Sequence, residues 1–506
     1  MDMKTITRNA PPRAVAMLES LRGLGYSTAA ALADIIDNSI SAGASEVKID
    51  CAWDGQNSRI TVTDDGRGMD DPELESAMRL GDRNPLDARS AHDLGRFGMG
   101  LKTASFSQCR RLTVATVKNG VKSCLRWDLA ELAANPDSDW LLYEGPARGS
   151  ESFVSSIDDK RFGTIVLWES LDKIITRGFT VDDFNDVIDN VESHLAMVFH
   201  RMLKGPRATI NLLLNGRIIR PWDPFMSGHP AKPWISPIAR ILTDIGAVEV
   251  QCHVLPHRDK LSDEEFKVNA GPGDWTAQQG FYVYRNERLL VAGGWLGLGS
   301  PRAWNREEAH RLARIRLDIP NTADAEWKID VRKSTARPPV SLKPWLTRLA
   351  NETRERARHV FAFRGTPTPR VGNVPVEQAW RLERLKSGMR YRIEEKHPIV
   401  SAVLDNAGSL LPMVKAMLKV IEETVPVQRI WIDTAEQKET PRTGFSGEPP
   451  ETVVTVLQTL FADMMGRRGM SAESAKRALL STEPFQNFPE LVANLVSDNS
   501  PYSKNS

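Results

Sequence analysis

An aspartate ends an apolar strand pattern at a position where a buried strand would normally carry a hydrophobic side chain. Ile60 and Val62 alternate with polar residues, and Asp64 continues the same face. Residues 47–53 alternate in the same way, and residues 54–57 have the composition of a turn, so the segment predicts a β-hairpin. A buried aspartate needs a hydrogen-bond partner, and an adenine amino group would meet that need.

Two glycine-containing segments follow, and in both of them the backbone can approach a ligand closely. Gly66 and Gly68 come directly after the strand and permit a sharp turn, although an Asp-Gly pair is also common in ordinary turns. Residues 95–103 run straight into a helical pattern, which offers N–H groups and a helix N-terminus to phosphate. This segment is neither a P-loop, because Leu101 stands where lysine is needed, nor a dinucleotide fingerprint, because Thr103 replaces the last glycine.

The segment before the hairpin predicts an amphipathic helix over residues 27–40, with Ser27 or Thr28 as its cap. Its apolar face is formed by Leu32, Ile35, Ile36 and Ile40. The opposite face carries Asp34, Asp37 and Asn38. Asp34 and Asn38 are four residues apart and project to the same side, where a carboxylate can accept a proton from water and an amide oxygen can bind Mg²⁺. The alternative is a solvated helix face.

The order and spacing of these segments resemble the GHKL superfamily, the ATPase fold of gyrase B, MutL, the heat-shock chaperone and the MORC proteins. Residues 31–40 are similar to the family's first box, residues 64–69 to its adenine-binding box, and residues 95–102 to its lid-and-phosphate box. Gly163 and Thr164 match its last nucleotide-contacting motif.

The resemblance implies an ATP site with Mg²⁺ bound at Asn38 and a lid over residues 80–97. Asp34 would be the catalytic base in the place of the family's usual glutamate, and its shorter side chain predicts slow hydrolysis. The implied nucleotide-binding residues are Asn38, Asp64, Gly66, Gly68, Met69, Gly95, Phe97, Gly98, Gly100, Leu101, Lys102 and Thr164.

The next segment predicts a separate α+β domain, in which a helical run is followed by several strand patterns. The helical run covers residues 187–198, and the strand candidates are residues 208–214, 281–290 and 312–320. Parts of this segment resemble the S5-type transducer domain of MORC and MutL proteins. By that resemblance Lys333 would contact the γ-phosphate and is the second predicted catalytic residue; the alternative is a solvated surface lysine.

The sequence therefore predicts an α+β protein in three parts. A Bergerat-type ATPase α/β sandwich occupies residues 1–172, an S5-like transducer occupies residues 173–340, and a mostly helical region occupies residues 341–506. A Pro/Gly-rich linker is expected near residues 365–375, and a loop at residues 439–450. The last region matches no recognisable chemistry, and its helices would recruit a protein partner.

Composition limits the cellular location and the kind of binding partner that we expect for this protein. The longest stretch without Asp, Glu, Lys or Arg is residues 289–301, shorter than the ~20 residues of a membrane span, and no secretory signal is evident, so we expect a soluble cytoplasmic protein. The four cysteines lack metal-ligand spacing. A net charge of +1 does not itself indicate nucleic acid, but basic clusters at residues 201–207, 302–316 and 343–358 are compatible with DNA binding.

The family resemblance implies an ATP-operated clamp that forms a homodimer on binding ATP, acts on DNA, and serves in restriction or phage defence. A non-hydrolysing, nucleotide-gated scaffold is the main alternative. A sensor histidine kinase shares the ATP fold but needs a phosphoacceptor helix upstream of it, and the first histidine here is His92, inside the predicted lid.

Overall fold

The protein folds into two compact units, Met1–Phe361 and Ala362–Ser506. The computed structural model describes residues 8, 12–23, 25–82, 100–134, 140–203, 209–244, 246–324, 326–330, 333, 335–362, 370–371, 374–385, 388–427, 430, 451–466 and 469–495. Among the helices of these residues, none has the length and apolar character needed to cross a membrane.

The first unit begins with an eight-stranded sheet. Its strands are β1 (Glu46–Ala52), β2 (Arg59–Asp64), β3 (Arg111–Lys118), β4 (Val121–Asp128), β5 (Tyr143–Glu144), β6 (Phe162–Glu169), β7 (Asn211–Leu214) and β8 (Arg217–Ile218). They are ordered β5-β4-β3-β6-β2-β1-β7-β8, and all neighbours are antiparallel except β1 and β7. The predicted hairpin is present as β1 and β2.

Helices cover one face of this sheet. They are α1 (Ala14–Arg22), α2 (Thr28–Ser41), α3 (Asp71–Met78), α4 (Gly100–Phe106), α5 (Leu129–Ala134), α6 (Val181–Val198) and α7 (His200–Leu203). The predicted first helix is confirmed as α2, with Ser27 accepting a hydrogen bond from the N–H of Ala30 at its start. Its side chains Leu32, Ile35 and Ile36 share one buried cluster with the inner residues of β1 and β2. A 3₁₀ helix, Glu151–Ile157, packs on the other face.

A second sheet of six strands follows in the same unit. Its strands are β9 (Trp234–Ile235), β10 (Ala239–Thr243), β11 (Gly246–Val254), β12 (Gly280–Arg285), β13 (Arg288–Ala292) and β14 (Ala313–Asp318). They are ordered β10-β11-β14-β12-β13, with β9 paired to β11. The accompanying helices are α8 (Asp263–Ala270), α9 (Asp274–Ala277) and α10 (Lys343–Ala362), and 3₁₀ helices cover Arg258–Lys260, Glu308–His310 and Asn321–Asp324.

One strand prediction in this sheet is wrong, because residues 281–290 form a hairpin and not a single strand. β12 and β13 pair antiparallel, with Arg285 opposite Arg288. The turn residues Asn286 and Glu287 have φ values of 48° and 66°, the geometry of a tight hairpin turn. The turn consists of Asn286 and Glu287 and contains no glycine, so it lacks the Asn-Gly or Asp-Gly signal that usually marks a two-residue hairpin turn.

The second unit is helical, as predicted, but it also contains strands. Its helices are α11 (Pro398–Asn406), α12 (Leu411–Glu423), α13 (Glu451–Gly466), α14 (Ala472–Leu480) and α15 (Pro489–Ala493), with 3₁₀ helices at Gly408–Leu410 and Phe485–Asn487. The strands β15 (Arg370–Val371) and β16 (Val374–Pro375) form one pair, and β17 (Trp380–Leu385) and β18 (Gly388–Ile393) form another. The pair β15–β16 lies within the predicted linker, whereas the predicted loop at residues 439–450 lies outside the described residues.

Candidate active site

Asp64 ends β2 and points into the protein interior, as the strand alternation predicts. It is 7% exposed. Its Oδ2 accepts a hydrogen bond of 2.8 Å from the Ser39 hydroxyl on α2, and its Oδ1 accepts one of 2.9 Å from the N–H of Gly66. Burial raises the pKa of Asp64, and these two hydrogen bonds oppose that shift. An ionised carboxylate offers about four acceptor positions, so Asp64 retains capacity for a further donor such as an amino group.

The loop after Asp64 approaches β3 so closely that only glycine fits at one position. Gly68 has a φ of 66°, and a Cβ built there would lie 1.9 Å from the carbonyl oxygen of Val117. One residue later, the N–H of Met69 donates to the Thr116 hydroxyl at 2.9 Å. The loop is therefore fixed to the sheet at Gly68 and Met69.

Thr164 joins this group through the sheet register. It pairs with Asp64 between β6 and β2, and its hydroxyl oxygen lies 3.1 Å from that of Thr116. The Thr116 hydroxyl also lies 3.1 Å from the carbonyl oxygen of Gly163. The structure thus brings together Asp64, Met69 and Thr164, which the sequence places in separate motifs.

The polar face of α2 is largely buried, so the alternative of a solvated helix face is wrong for Asp34 and Asp37. They are 5% and 1% exposed, whereas Asn38 is exposed. The Lys333 ammonium lies 3.1 Å from Asp34 Oδ1 and 2.5 Å from Asp37 Oδ2. With a side chain that is 11% exposed, Lys333 is not a solvated surface lysine. The Tyr26 hydroxyl donates to the other oxygen of Asp34 at 3.0 Å.

Arg288 completes this group and was missed in the sequence. Its Nε lies 3.2 Å from each carboxylate oxygen of Asp37, and its Nη2 lies 3.9 Å from Asp34 Oδ1. We call Asp34, Asp37, Arg288 and Lys333 the ion-pair cluster. No local pattern could reveal the pair of Arg288 and Asp37, because the two residues are 251 positions apart.

The surroundings of the ion-pair cluster fix the protonation of several groups. Burial alone would raise the pKa of Asp37, but Arg288 and Lys333 together outweigh it, and the pKa is lowered. Burial, followed by the charge of Asp34, raises the pKa of Tyr26. Burial and the neighbouring Arg288 lower the pKa of His194 to about 4. At neutral pH the site therefore contains an ionised Asp37, a neutral Tyr26 and a neutral His194.

The predicted phosphate-binding segment is described only in part. α4 begins at Gly100, and Leu101 lies in its first turn. Lys102 is buried and donates to the carbonyl oxygens of Ala77 at 2.9 Å and Arg79 at 2.7 Å, at the end of α3. Contact with phosphate would require Lys102 to exchange these bonds. The predicted ligands Gly95, Phe97 and Gly98, and lid residues 83–97, lie outside the described residues.

The predicted Mg²⁺ site on α2 has few protein ligands among the described residues. Among the described residues there is no group of three or more His, Cys, Asp or Glu side chains that could hold a metal. Asn38 is exposed on α2 and offers one amide oxygen. Mg²⁺ commonly takes one or two protein ligands and completes its shell with phosphates and water, so a single amide is compatible with a nucleotide-bound ion.

The described parts of the basic clusters contain both exposed and buried side chains; the exposed ones are Arg302, Arg306, Lys343, Arg348, Arg356 and Arg358. Arg314 is fully buried within the second sheet. The Arg354 guanidinium lies 4.7 Å from the ring centre of Trp295 and 4.5 Å from that of Trp304. Arg314 and Arg354 therefore cannot supply surface phosphate contacts, whereas the exposed members keep DNA binding as a prediction.

α2 carries two of the candidate functional contacts. Asp34 can accept a proton from water and has the Lys333 ammonium, from the segment after the second sheet, beside it. Five residues further along, Ser39 contacts Asp64, the candidate adenine acceptor. Five residues span about 7.5 Å of helix, so α2 carries both the candidate base and a contact of the candidate adenine acceptor.

Comparison with known proteins agrees with this geometry. Residues 26–164 match the family described as "Histidine kinase-, DNA gyrase B-, and HSP90-like ATPase". The segment is therefore a GHKL-superfamily ATPase domain. It includes α2, the β1–β2 hairpin and Thr164.

Two curated relatives show limited similarity. The chain is 32% identical over 95 residues to "ATPase morc-1" of Caenorhabditis elegans, covering 19% of this chain and 11% of the relative. It is 34% identical over 125 residues to "DNA mismatch repair protein MutL" of Rhodospirillum rubrum, covering 24% of this chain and 17% of the relative. The matches thus span less than a fifth of either relative.

Proposed function

We propose that the first unit binds ATP along α2 and hydrolyses it, with Asp34 as general base and Lys333 as the contact to the γ-phosphate. The observation that carries this proposal is the 3.1 Å distance from Lys333 Nζ to Asp34 Oδ1. Lys333 lies in the segment after the second sheet, and its ammonium lies beside the carboxylate of Asp34 on α2. The two residues are 299 positions apart and belong to separate sequence motifs.

The two oxygens of Asp34 have different partners, and this difference suggests a mechanism. Tyr26 donates to one oxygen and orients the carboxylate, while the other faces Lys333. In the nucleotide complex, Lys333 would turn from Asp34 to the γ-phosphate and stabilise the charge that develops there. Asp34 would then accept the proton of the attacking water. Because Asp is one methylene shorter than Glu, we expect slow turnover.

The rest of the nucleotide would lie along the other contacts of α2. Asp64 would accept the adenine amino group, with Gly66, Gly68, Met69 and Thr164 around the base. Asn38 would hold Mg²⁺, which supplies positive charge to the triphosphate. The 93% burial of Asp64 and its spare acceptor capacity support this placement.

Turnover by three variants tests the catalytic assignment. Asp34→Asn keeps the side-chain shape and should abolish ATP hydrolysis while calorimetric ATP affinity is retained, because the carboxylate acts on water. Asp34→Glu should retain or raise turnover if the pocket follows the family pattern. Asp50→Ala, an exposed carboxylate on β1, is the control and should leave turnover unchanged. No turnover above background in wild type and Asp34→Asn alike would favour the non-hydrolysing scaffold, and equal measurable turnover would exclude Asp34 as the base.

We further propose that ATP drives homodimerisation and that the dimer acts on DNA as a clamp. Lys333 links the nucleotide site to the second sheet, so the nucleotide state can alter the position of that sheet. One relative carries DNA mismatch repair in its name, which supports DNA as the partner. A role in restriction or phage defence, and recruitment of a protein by the second unit, stay predictions from the resemblance. A sensor kinase remains the weaker alternative.

A further inference from the structure

Arg288 is a buried cation at the candidate active site for which the proposed chemistry has no role. It begins β13 in the second sheet, yet its guanidinium reaches α2 and lies 3.2 Å from both oxygens of Asp37. Its Nη1 donates to the carbonyl oxygen of Leu289, and its guanidinium lies 5.6 Å from the ring centre of Phe199 at the end of α6. Arg288 therefore connects the second sheet with two helices of the first sheet.

The two cations of the ion-pair cluster are held in different ways. Arg288 is anchored in a paired strand. Its guanidinium is planar and rigid, and it contacts both Asp37 and the carbonyl oxygen of Leu289. Lys333 lies in a turn with a φ of 52° and ends in a single ammonium on a flexible stem. Exchange of partners is therefore easier for Lys333 than for Arg288.

The different anchoring of Arg288 and Lys333 matters for the charge balance of the ion-pair cluster. The ion-pair cluster contains two carboxylates and two cations, all mostly buried. When Lys333 turns to a phosphate, Arg288 is the cation of the cluster that is left beside both carboxylates, with Nη2 3.9 Å from Asp34 Oδ1. Without it, the two adjacent carboxylates would have no counter-ion left within the ion-pair cluster, which is strongly unfavourable for buried charges.

We propose that Arg288 is a positioning residue of the ATPase cycle. It stays bound to Asp37 when Lys333 turns to the γ-phosphate, keeps α2 against the second sheet, and so holds Asp34 in the position from which it acts on water. This inference rests on the proposed function, because it assigns Arg288 a role only in a chain that hydrolyses ATP.

Steady-state ATP hydrolysis by the full chain tests the proposal with three variants. Arg288→Gln should lower kcat by roughly 10- to 100-fold, because a displacement of about 1 Å at a general base has an effect of this size. KM for ATP should stay within about threefold, since Arg288 does not contact nucleotide. Arg288→Lys should recover part of kcat because it retains the charge. Asp37→Asn/Arg288→Gln removes both charges and should exceed Arg288→Gln in kcat.

Each rate is normalised to the number of ATP sites titrated by calorimetry, so a loss of folded protein does not register as a loss of kcat. Wild-type-like kcat in Arg288→Gln would overturn the role of Arg288 while leaving the ATPase proposal intact. So would a normalised kcat that is equally low in Arg288→Lys, Arg288→Gln and the double variant. Absence of wild-type turnover would overturn the proposed function and this inference with it.

Discussion

Replacing Lys333 with methionine tests whether the ion-pair cluster stabilises the first unit. Methionine retains much of the length of the lysine side chain but removes the ammonium, which lies 3.1 Å from Asp34 and 2.5 Å from Asp37. The two carboxylate side chains are only 5% and 2% exposed, so water cannot replace the lost cation without rearrangement. The variant should therefore unfold more easily than wild type.

The structure places the expected loss near the lower end of the range for buried pairs. Removing one partner of a buried ion pair typically destabilises a protein by about 3–5 kcal/mol. We expect about 3 kcal/mol, because Arg288 remains beside Asp37 and the Lys333 side chain keeps slight exposure. A solvated surface lysine would contribute at most about 1 kcal/mol.

The assay is urea unfolding at pH 7 without nucleotide, followed by tryptophan fluorescence. Of the thirteen tryptophans, only Trp380 and Trp431 belong to the second unit, so fluorescence reports mainly on the first. Lys328→Met is a matched control, because Lys328 is an exposed lysine five residues away with a similar φ of 48°. Its effect should stay within about 0.5 kcal/mol.

A double variant separates lost charge balance from lost packing. Asp37→Asn/Lys333→Met should be more stable than Lys333→Met alone, because it removes one of the carboxylates left without a full counter-charge. If Lys333→Met and Lys328→Met lose the same free energy of unfolding, the ion-pair cluster does not stabilise the fold and the reasoning fails.

Five further outcomes are expected. Asp64→Asn places a donor where an acceptor is needed and should weaken calorimetric ATP affinity by about 1–3 kcal/mol, roughly 5- to 150-fold. Because burial raises the pKa of Asp64, wild type should gain stability relative to this variant as pH falls through that raised pKa towards the unfolded value of about 3.9; a pH-independent difference would contradict this. Gly68→Ala should abolish ATP binding because its Cβ would meet Val117, whereas Gly55→Ala, with a similar φ and open space, should not. Sedimentation should give twice the mass with a non-hydrolysable ATP analogue but not with ADP, and equal masses would exclude the clamp. DNA affinity should fall steeply with salt, and no binding at low salt with or without nucleotide would favour a protein partner.

The sequence by itself determined the local elements around the nucleotide site. The apolar period of 3.6 residues and Ser27 were enough to predict α2, and the period of two residues was enough to predict the hairpin and the inward side chain of Asp64. These predictions succeeded because each depends on residues within one helix or hairpin. The prediction of a single strand failed at β12 and β13, because the turn of Asn286 and Glu287 lacks the glycine that usually marks a hairpin.

Only the tertiary structure decided what surrounds the polar face of α2. Lys333 is 299 positions from Asp34, and Arg288 is 251 positions from Asp37, so no local period relates them. The sequence left that face open between a solvated surface and an active site, and the approach of the Arg288 and Lys333 side chains to α2 made it part of a buried ion-pair cluster. Two members of the basic clusters, Arg314 and Arg354, are also buried, and Arg354 contacts Trp295, which belongs to a different segment. Burial depends on residues distant in sequence, and it is burial that decides whether a charged side chain is solvated or paired.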